Sequence, residues 1–203
     1  MSVLVVGAGG HAKVVIATLQ ALGETVAGCV DDDPAAVGRR VLGVPVTGAV
    51  DAVATHQGGA VLAIGSNAAR ARLAAAFPDA DWRTVVHPAA HVHLSVSLGR
   101  GTVVLAGAIL QPDVEVGAYA ILNTASTVDH DGRIGDFVHL APGVHLSGGV
   151  IVEEGGFMGV GACAIPGVRI GAWGTVGAGG VVVRDLPPNV TSVGIPARPR
   201  TRP

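Results

Sequence analysis

From Leu98 onward the chain carries an apolar residue at every sixth position. The series runs Leu98, Val104, Leu110, Val116, Leu122, Val128, Ile134, Leu140, Leu146, Val152, Met158, Ala164, Ile170, Val176 and Val182, and extends back to Val92 and Val86. No insertion breaks the register. With apolar residues at about half of all positions, chance would give such a run on the order of once in tens of thousands. The residue four places after each rung is small or Val through eight repeats, from Thr102 through Ala108, Val114, Ala120, Ser126, Gly132 and Val138 to Val144. Glycine follows the rung at 98, 116, 134, 158, 170 and 176. A period of six fits neither a helix nor simple alternation. It predicts a short strand and a corner, repeated, with the rung residue pointing inward each time. Charged residues then fall at outward positions, as the cost of burying a charge requires.

Before this segment the pattern is that of ordinary α/β sequence. VLVV (3–6) reads as a buried strand, followed by the turn GAGG. HAKVVIATLQALG (11–23) reads as a helix with a stripe of Val14, Val15, Ala17, Thr18 and Leu22, stopped by Gly23. TVAGCVDDDP (25–34) and AVLAIGSN (60–67) read as further strands, and AARARLAAAFP (68–78) as a helix stopped by Pro78. Strands alternating with helices predict a small parallel sheet with right-handed crossovers. The expected organisation is an α/β domain over residues 1–85 and a repeat domain with a C-terminal tail over 86–203.

Composition narrows the function classes. The chain has 203 residues, a net charge of −2 and only 3% aromatic residues, so its core is built from small aliphatic side chains. A near-neutral chain lacks the basic surface that nucleic acid binding needs. Cys29 and Cys163 stand far apart without zinc or redox spacing and predict two reduced thiols. With no leader and no apolar run of about 18 residues, the sequence predicts a soluble, cytoplasmic protein without membrane contact.

Two stretches carry candidate chemistry. GAGGHA (7–12) follows a strand and opens a helix, so backbone amides and the helix N-terminus are offered to phosphate without a lysine. Asp31 and Asp32 follow the second strand, Asp31 roughly 20 residues on from the turn, where a carboxylate can accept from a base N–H or a ribose hydroxyl. The turn nearly fits the dinucleotide fingerprint, so nicotinamide binding is one reading. Asp31 and Asp32 also fit plain turn or capping roles. VDHDGRIGDFVH (128–139) sets His130 between Asp129 and Asp131 in a chain that is 14% charged. An imidazole beside a carboxylate keeps one ring nitrogen protonated and leaves the other free as a base.

NTASTVDHDGRIGDFVHLAPG (123–143) and the closing VGIPARP (193–199) resemble the hexapeptide-repeat sugar O- and N-acetyltransferases, a family spanning the bacillosamine-pathway, perosamine and sialic acid enzymes. The resemblance implies a Rossmann-like α/β half domain followed by a left-handed parallel β-helix, with three hexads to a coil. It implies acetyl-CoA as co-substrate, a UDP- or GDP-linked 4-amino-6-deoxy sugar as acceptor, and a homotrimer with active sites between subunits. His130 matches the family's general base, Asp131 the acidic partner that orients it, and Asn123 a residue near the acceptor. His139 matches a coenzyme contact, Gly148, Val160 and Ala178 match the coenzyme groove, and Gly9, Gly10 and His11 of the turn, Asp31 and Asp32 after the second strand, and Gly65 in AIGSN match the positions that hold the nucleotide sugar. This chain departs from the bacillosamine enzyme in carrying Asp131 for Glu, and from some members in carrying Ala178 for Gly. Acetylation of a hydroxyl, as on sialic acid, would use the same pair, and a non-catalytic trimer binding a nucleotide sugar is the reading of another class. The γ-class carbonic anhydrases share the β-helix and bind zinc through three histidines. His139 and His145 are six apart here, which places them on adjacent faces, so no metal site is expected.

Overall fold

The computed structural model describes residues 2–200. Strand β1 (Val3–Val6) leads to helix α1 (Gly10–Ala21), β2 (Val26–Val30), the hairpin β3 (Arg40–Val41) and β4 (Val44–Gly48), then β5 (Ala60–Leu62) and helix α2 (Asn67–Ala76). The sheet order is β3-β4-β2-β1-β5. All neighbours are parallel except β3 with β4. The β3–β4 hairpin is not evident in the sequence pattern. Helix α1 buries Ala12, Val15, Ile16 and Leu19, while Val14 is 38% exposed and Leu22 also faces out. Of the expected stripe, Val15 and Thr18 are buried, and Val14, Ala17 and Leu22 are not. Positions 12, 15, 16 and 19 follow the i, i+3, i+4, i+7 spacing that one helical face requires. Ser66 caps α2, its hydroxyl accepting the Ala69 N–H.

From Val85–Val86 onward the chain winds as two-residue strands separated by corners, each strand pairing in parallel with the one eighteen residues on. Three ladders result, so the coils form a prism of three faces. The outward residues of the first face are Val103, Ile121, His139, Phe157 and Thr175. Those of the second are Ile109, Thr127, His145, Cys163 and Val181. Glu115, Arg133, Ile151 and Arg169 stand on the third. Inside, the rung residues from Val104 to Val182 are buried, and so is the second inward series from Thr102 to Val144. The two series fill the prism with small aliphatic groups.

Every sixth residue from Gly101 to Gly179 lies at φ between 55 and 73°. Each edge therefore turns through one left-handed residue, a conformation that Gly, Asn and Asp adopt most readily. Asp131 takes this position with φ 59°. The repeated rung-glycines answer a different constraint. A Cβ on Gly135 would lie 2.6 Å from the Glu154 amide of the next coil, so the backbone itself occupies the space.

The α/β domain docks on the first face. Val85, Val103 and Leu105 share a core with α1 and β1. Trp82 packs edge-on against Tyr119, which stacks on Phe137 with centroids 5.0 Å apart. Helix α2 reaches across through two side chains. Asn67 Nδ2 donates to the carbonyls of Gly155 and Gly156. Arg70, 1% exposed, donates through Nε to Tyr119 O, through Nη1 to Ile64 O and Gly65 O, and through Nη2 to Phe137 O and Val138 O.

Candidate active site

The edge between the second and third faces carries His130. Corner carbonyls and amides of successive coils stack there, with Asp131 N–H donating to Pro112 O, Gly149 N–H to His130 O and Gly167 N–H to Gly148 O. The His130 side chain is 64% exposed. Its Nδ1 donates to Asp131 Oδ2 at 2.7 Å. Asp129 Oδ1 accepts the His130 backbone N–H at 2.8 Å. The left-handed turn at Asp131 is what lets two consecutive side chains meet. The hydrogen bond to Asp131, chiefly, and the charges of Asp129 and Asp131 hold the His130 pKa above its ordinary value. Nε2 makes no hydrogen bond among the described residues and carries the free lone pair. Gly148 lies directly beneath: a Cβ there would sit 2.6 Å from both Cε1 and Nε2 of His130. Gly148→Ala is thus expected to push the ring off its position and lower kcat about tenfold, measured by steady-state kinetics, with thermal stability nearly unchanged.

A second cluster forms where the α/β domain meets the first face. The turns after β1 and β5 lie at the C-terminal ends of parallel strands, where open α/β sheets bind ligands. A Cβ on Gly9 or Gly10 would meet nothing within 4 Å, so the turn is open. Asp31 Oδ2 accepts the Ala8 N–H at 2.7 Å and its Oδ1 the Asp33 N–H, so this carboxylate braces the glycine turn. Asp32 Oδ1 accepts the Val50 N–H and its other oxygen stays free. Both aspartates thus fill the turn roles that the sequence also allowed.

His139 lies under the docked domain. It points outward from the prism yet is only 8% exposed, because the docked domain covers it. Nδ1 faces Gly65 O at 3.2 Å, and Nε2 faces Asn123 Nδ2 at 3.1 Å. Asn123 Oδ1 accepts the Thr124 N–H, which fixes the amide orientation. An amide nitrogen only donates, so Nε2 of His139 accepts and the ring proton is on Nδ1. His11 lies 6.0 Å away, centroid to centroid. Burial, with the Arg70 charge second, lowers both imidazoles to a pKa of about 4. Both are neutral at physiological pH.

Within one chain these residues fall into two groups. Asn123 lies with His139, not beside His130 and Asp131. Gly148 sits under His130. Val160, 57% exposed, and Ala178 stand on the edge between the first and second faces. His139 and His145 look out from adjacent faces, and among the described residues no cluster of three or more His, Cys, Asp or Glu could hold a metal ion. No helix among them is long and apolar enough to cross a membrane. Two residues of the seam went unread in the sequence, Asn67 and Arg70. Their signal was faint: with Ala74 they fall at i, i+3 and i+7 on one face of an alanine-rich helix.

Comparison with known proteins agrees with both halves of the chain. Residues 2–77 match the family described as PglD N-terminal domain. The GDP-perosamine N-acetyltransferase of Escherichia coli O157:H7 is 30% identical over 124 residues, 59% of this chain, and the match spans only 56% of that relative's length. PerB of Caulobacter crescentus, solved in complex with CoA and GDP-perosamine, is 47% identical, with 99% of this chain and 98% of that one covered at a TM-score of 0.93. The acetyltransferase domain of PglB from Neisseria gonorrhoeae FA1090, solved with acetyl coenzyme A, is 38% identical with 98% of each chain covered and a TM-score of 0.90. The fold is a Rossmann-like α/β domain followed by a left-handed parallel β-helix. With its hexad register, its His–Asp edge and this likeness along nearly its whole length, the chain belongs to the hexapeptide-repeat sugar acetyltransferases.

Proposed function

We propose that this protein transfers the acetyl group of acetyl-CoA to the amine of a nucleotide-linked amino sugar, with His130 as general base and Asp131 as its orienting partner. The observation that carries the reading is the 2.7 Å bond from His130 Nδ1 to Asp131, which leaves Nε2 free on an exposed edge. The acceptor nitrogen attacks the thioester carbonyl carbon and forms the C–N bond. His130 Nε2 takes the proton that the nitrogen sheds. The tetrahedral intermediate then collapses, the C–S bond breaks, and the departing thiolate of CoA receives the proton back from His130. Asp131 accepts from the imidazolium during that interval and stabilises it.

Geometry also supports a trimer. In one chain His130 stands on the edge opposite the first face, where the nucleotide turn, His139 and Asn123 lie. His130 has no second wall, and a neighbouring chain is needed to bring a nucleotide-sugar seam against it. The expected result in sedimentation is a stable trimer. A fully active monomer would refute this assembly.

A thiol-release assay with acetyl-CoA tests the acceptor. Release is expected with GDP- or UDP-linked 4-amino sugars and not with free sialic acid. The reverse pattern would make the enzyme an O-acetyltransferase, and failure to bind acetyl-CoA in calorimetry would leave a non-catalytic sugar-binding trimer. Rate should also report the His130 pKa. The base form is the unprotonated one, so kcat/KM rises with pH through that raised pKa. Asp131→Asn removes the main cause of the rise, so the acid limb should move to lower pH while kcat falls about tenfold or more. An acid limb that stays in place would exclude the pairing.

A further inference from the structure

Arg70 meets its full donor capacity without touching a single carboxylate. A guanidinium has five N–H groups, and here each has a backbone carbonyl. Two of the acceptors, Ile64 and Gly65, belong to the loop between β5 and α2, and three belong to the prism. The Gly65 carbonyl is the shared member. It accepts from Arg70 Nη1 at 3.1 Å and from His139 Nδ1 at 3.2 Å. A carbonyl oxygen has two lone pairs, and these two donors occupy both. We propose that Arg70 is a positioning residue for His139: by clamping the Gly65 carbonyl against the first face, it fixes the Nδ1–H tautomer and turns Nε2 toward Asn123 as an acceptor.

The proposal rests on the reading above only in assigning His139 to the substrate seam. The groups facing the ring are Arg70, His11, Asn123 and Phe157, and of these only Arg70 is charged at neutral pH. Two effects of Arg70 thus act in one direction. Its charge disfavours the imidazolium, and its fork holds the acceptor that selects one neutral tautomer. A lysine keeps the charge but has three donors and no planar fork, so it cannot span Gly65 and Phe137 together. Among the described residues the Asn123 amide is the other partner able to select a tautomer, and it reaches the opposite nitrogen.

The experiment labels histidine with ¹⁵N in the full chain and reads ring nitrogens by long-range ¹H–¹⁵N correlation without substrate. The ring spectrum decides the matter even if the chain acetylates nothing. In the wild type, His139, assigned by its loss in His139→Gln, should show protonated Nδ1 and bare Nε2 from pH 6 to 8. A protonated Nε2 would overturn the proposal. Arg70→Lys in the Asn123→Ala background should yield a mixture of tautomers, because both selecting partners are then gone, and Arg70→Lys alone should lower kcat/KM for the amino sugar about tenfold. A single Nδ1–H tautomer in the double variant, or an unchanged kcat/KM in Arg70→Lys, would refute it. Should Arg70→Lys fail to fold, Asn123→Ala carries the test. The Nδ1–H pattern should persist there, because Gly65 still accepts. Its loss would assign the tautomer to Asn123 instead.

Discussion

Replacing His130 with alanine should lower kcat at least about a hundredfold and leave the acceptor KM nearly unchanged. Both parts follow from the geometry. Among the described residues this imidazole is the one paired with a carboxylate, and with Asp131 on Nδ1 its Nε2 stays free on an exposed edge. Losing it removes proton acceptance from the attacking amine, an interaction made in the transition state and not in ground-state binding. The nucleotide turn, Asp31 and the Gly65 loop lie in the α/β domain and do not touch His130, so binding of the sugar nucleotide should persist. His130→Asn is the sharper control, since it keeps a polar side chain of similar reach but has no basic nitrogen. A variant of either kind with near-normal kcat, measured under saturating acetyl-CoA, would remove His130 from the mechanism.

Arg70→Met should produce the largest loss of stability of any single change at the seam, about 3–5 kcal/mol. The side chain is buried without a counter-ion, and burial lowers its pKa to about 10, so it remains charged at neutral pH. It donates to five carbonyls from both domains. Methionine fills much the same volume but donates nothing, leaving the Ile64, Tyr119 and Phe137 carbonyls unpaired away from water, while Gly65 O keeps His139 and Val138 O keeps the Ile121 amide. The effect should be local to the docking. Urea denaturation of the variant should show two transitions, the α/β domain melting first and the prism later near its original midpoint. One unshifted cooperative transition would show that the aromatic stack of Trp82, Tyr119 and Phe137 suffices to hold the domain.

The contrast between the prism and the seam explains what the sequence could disclose. The rungs from Leu98 to Val182 announce themselves because each inward side chain meets the same environment one coil later. The His130–Asp131 pair is legible for a related reason: neighbours in sequence are forced together at an edge whose turn repeats. The docking of the α/β domain leaves no such trace. Arg70 and Asn67 bind backbone carbonyls, which every residue possesses, so their partners carry no recognisable side chain. That is why nothing in the register of His139, an outward position, discloses that the docked domain buries it. It is also why Asn123, seven residues from His130, lies with a different cluster. The hairpin at Arg40–Val41 and Val44–Gly48 escaped for a simpler reason, its strands being too short to show alternation.

The left-handed corners recurring every six residues make the prism a ruler with coarse graduations. Removing one hexad between the docking face and His130 would rotate everything downstream by a third of a turn, carrying the base to another edge. Removing eighteen residues would return it to its own edge, one coil nearer, by about 4.8 Å. Length changes in this segment are therefore neutral for direction only in whole coils, and even then they alter how far along the axis His130 stands from the docked α/β domain. Other insertions have room only as loops thrown out at corners. The reach of this enzyme along its own axis is counted in coils and cannot be tuned by ångströms.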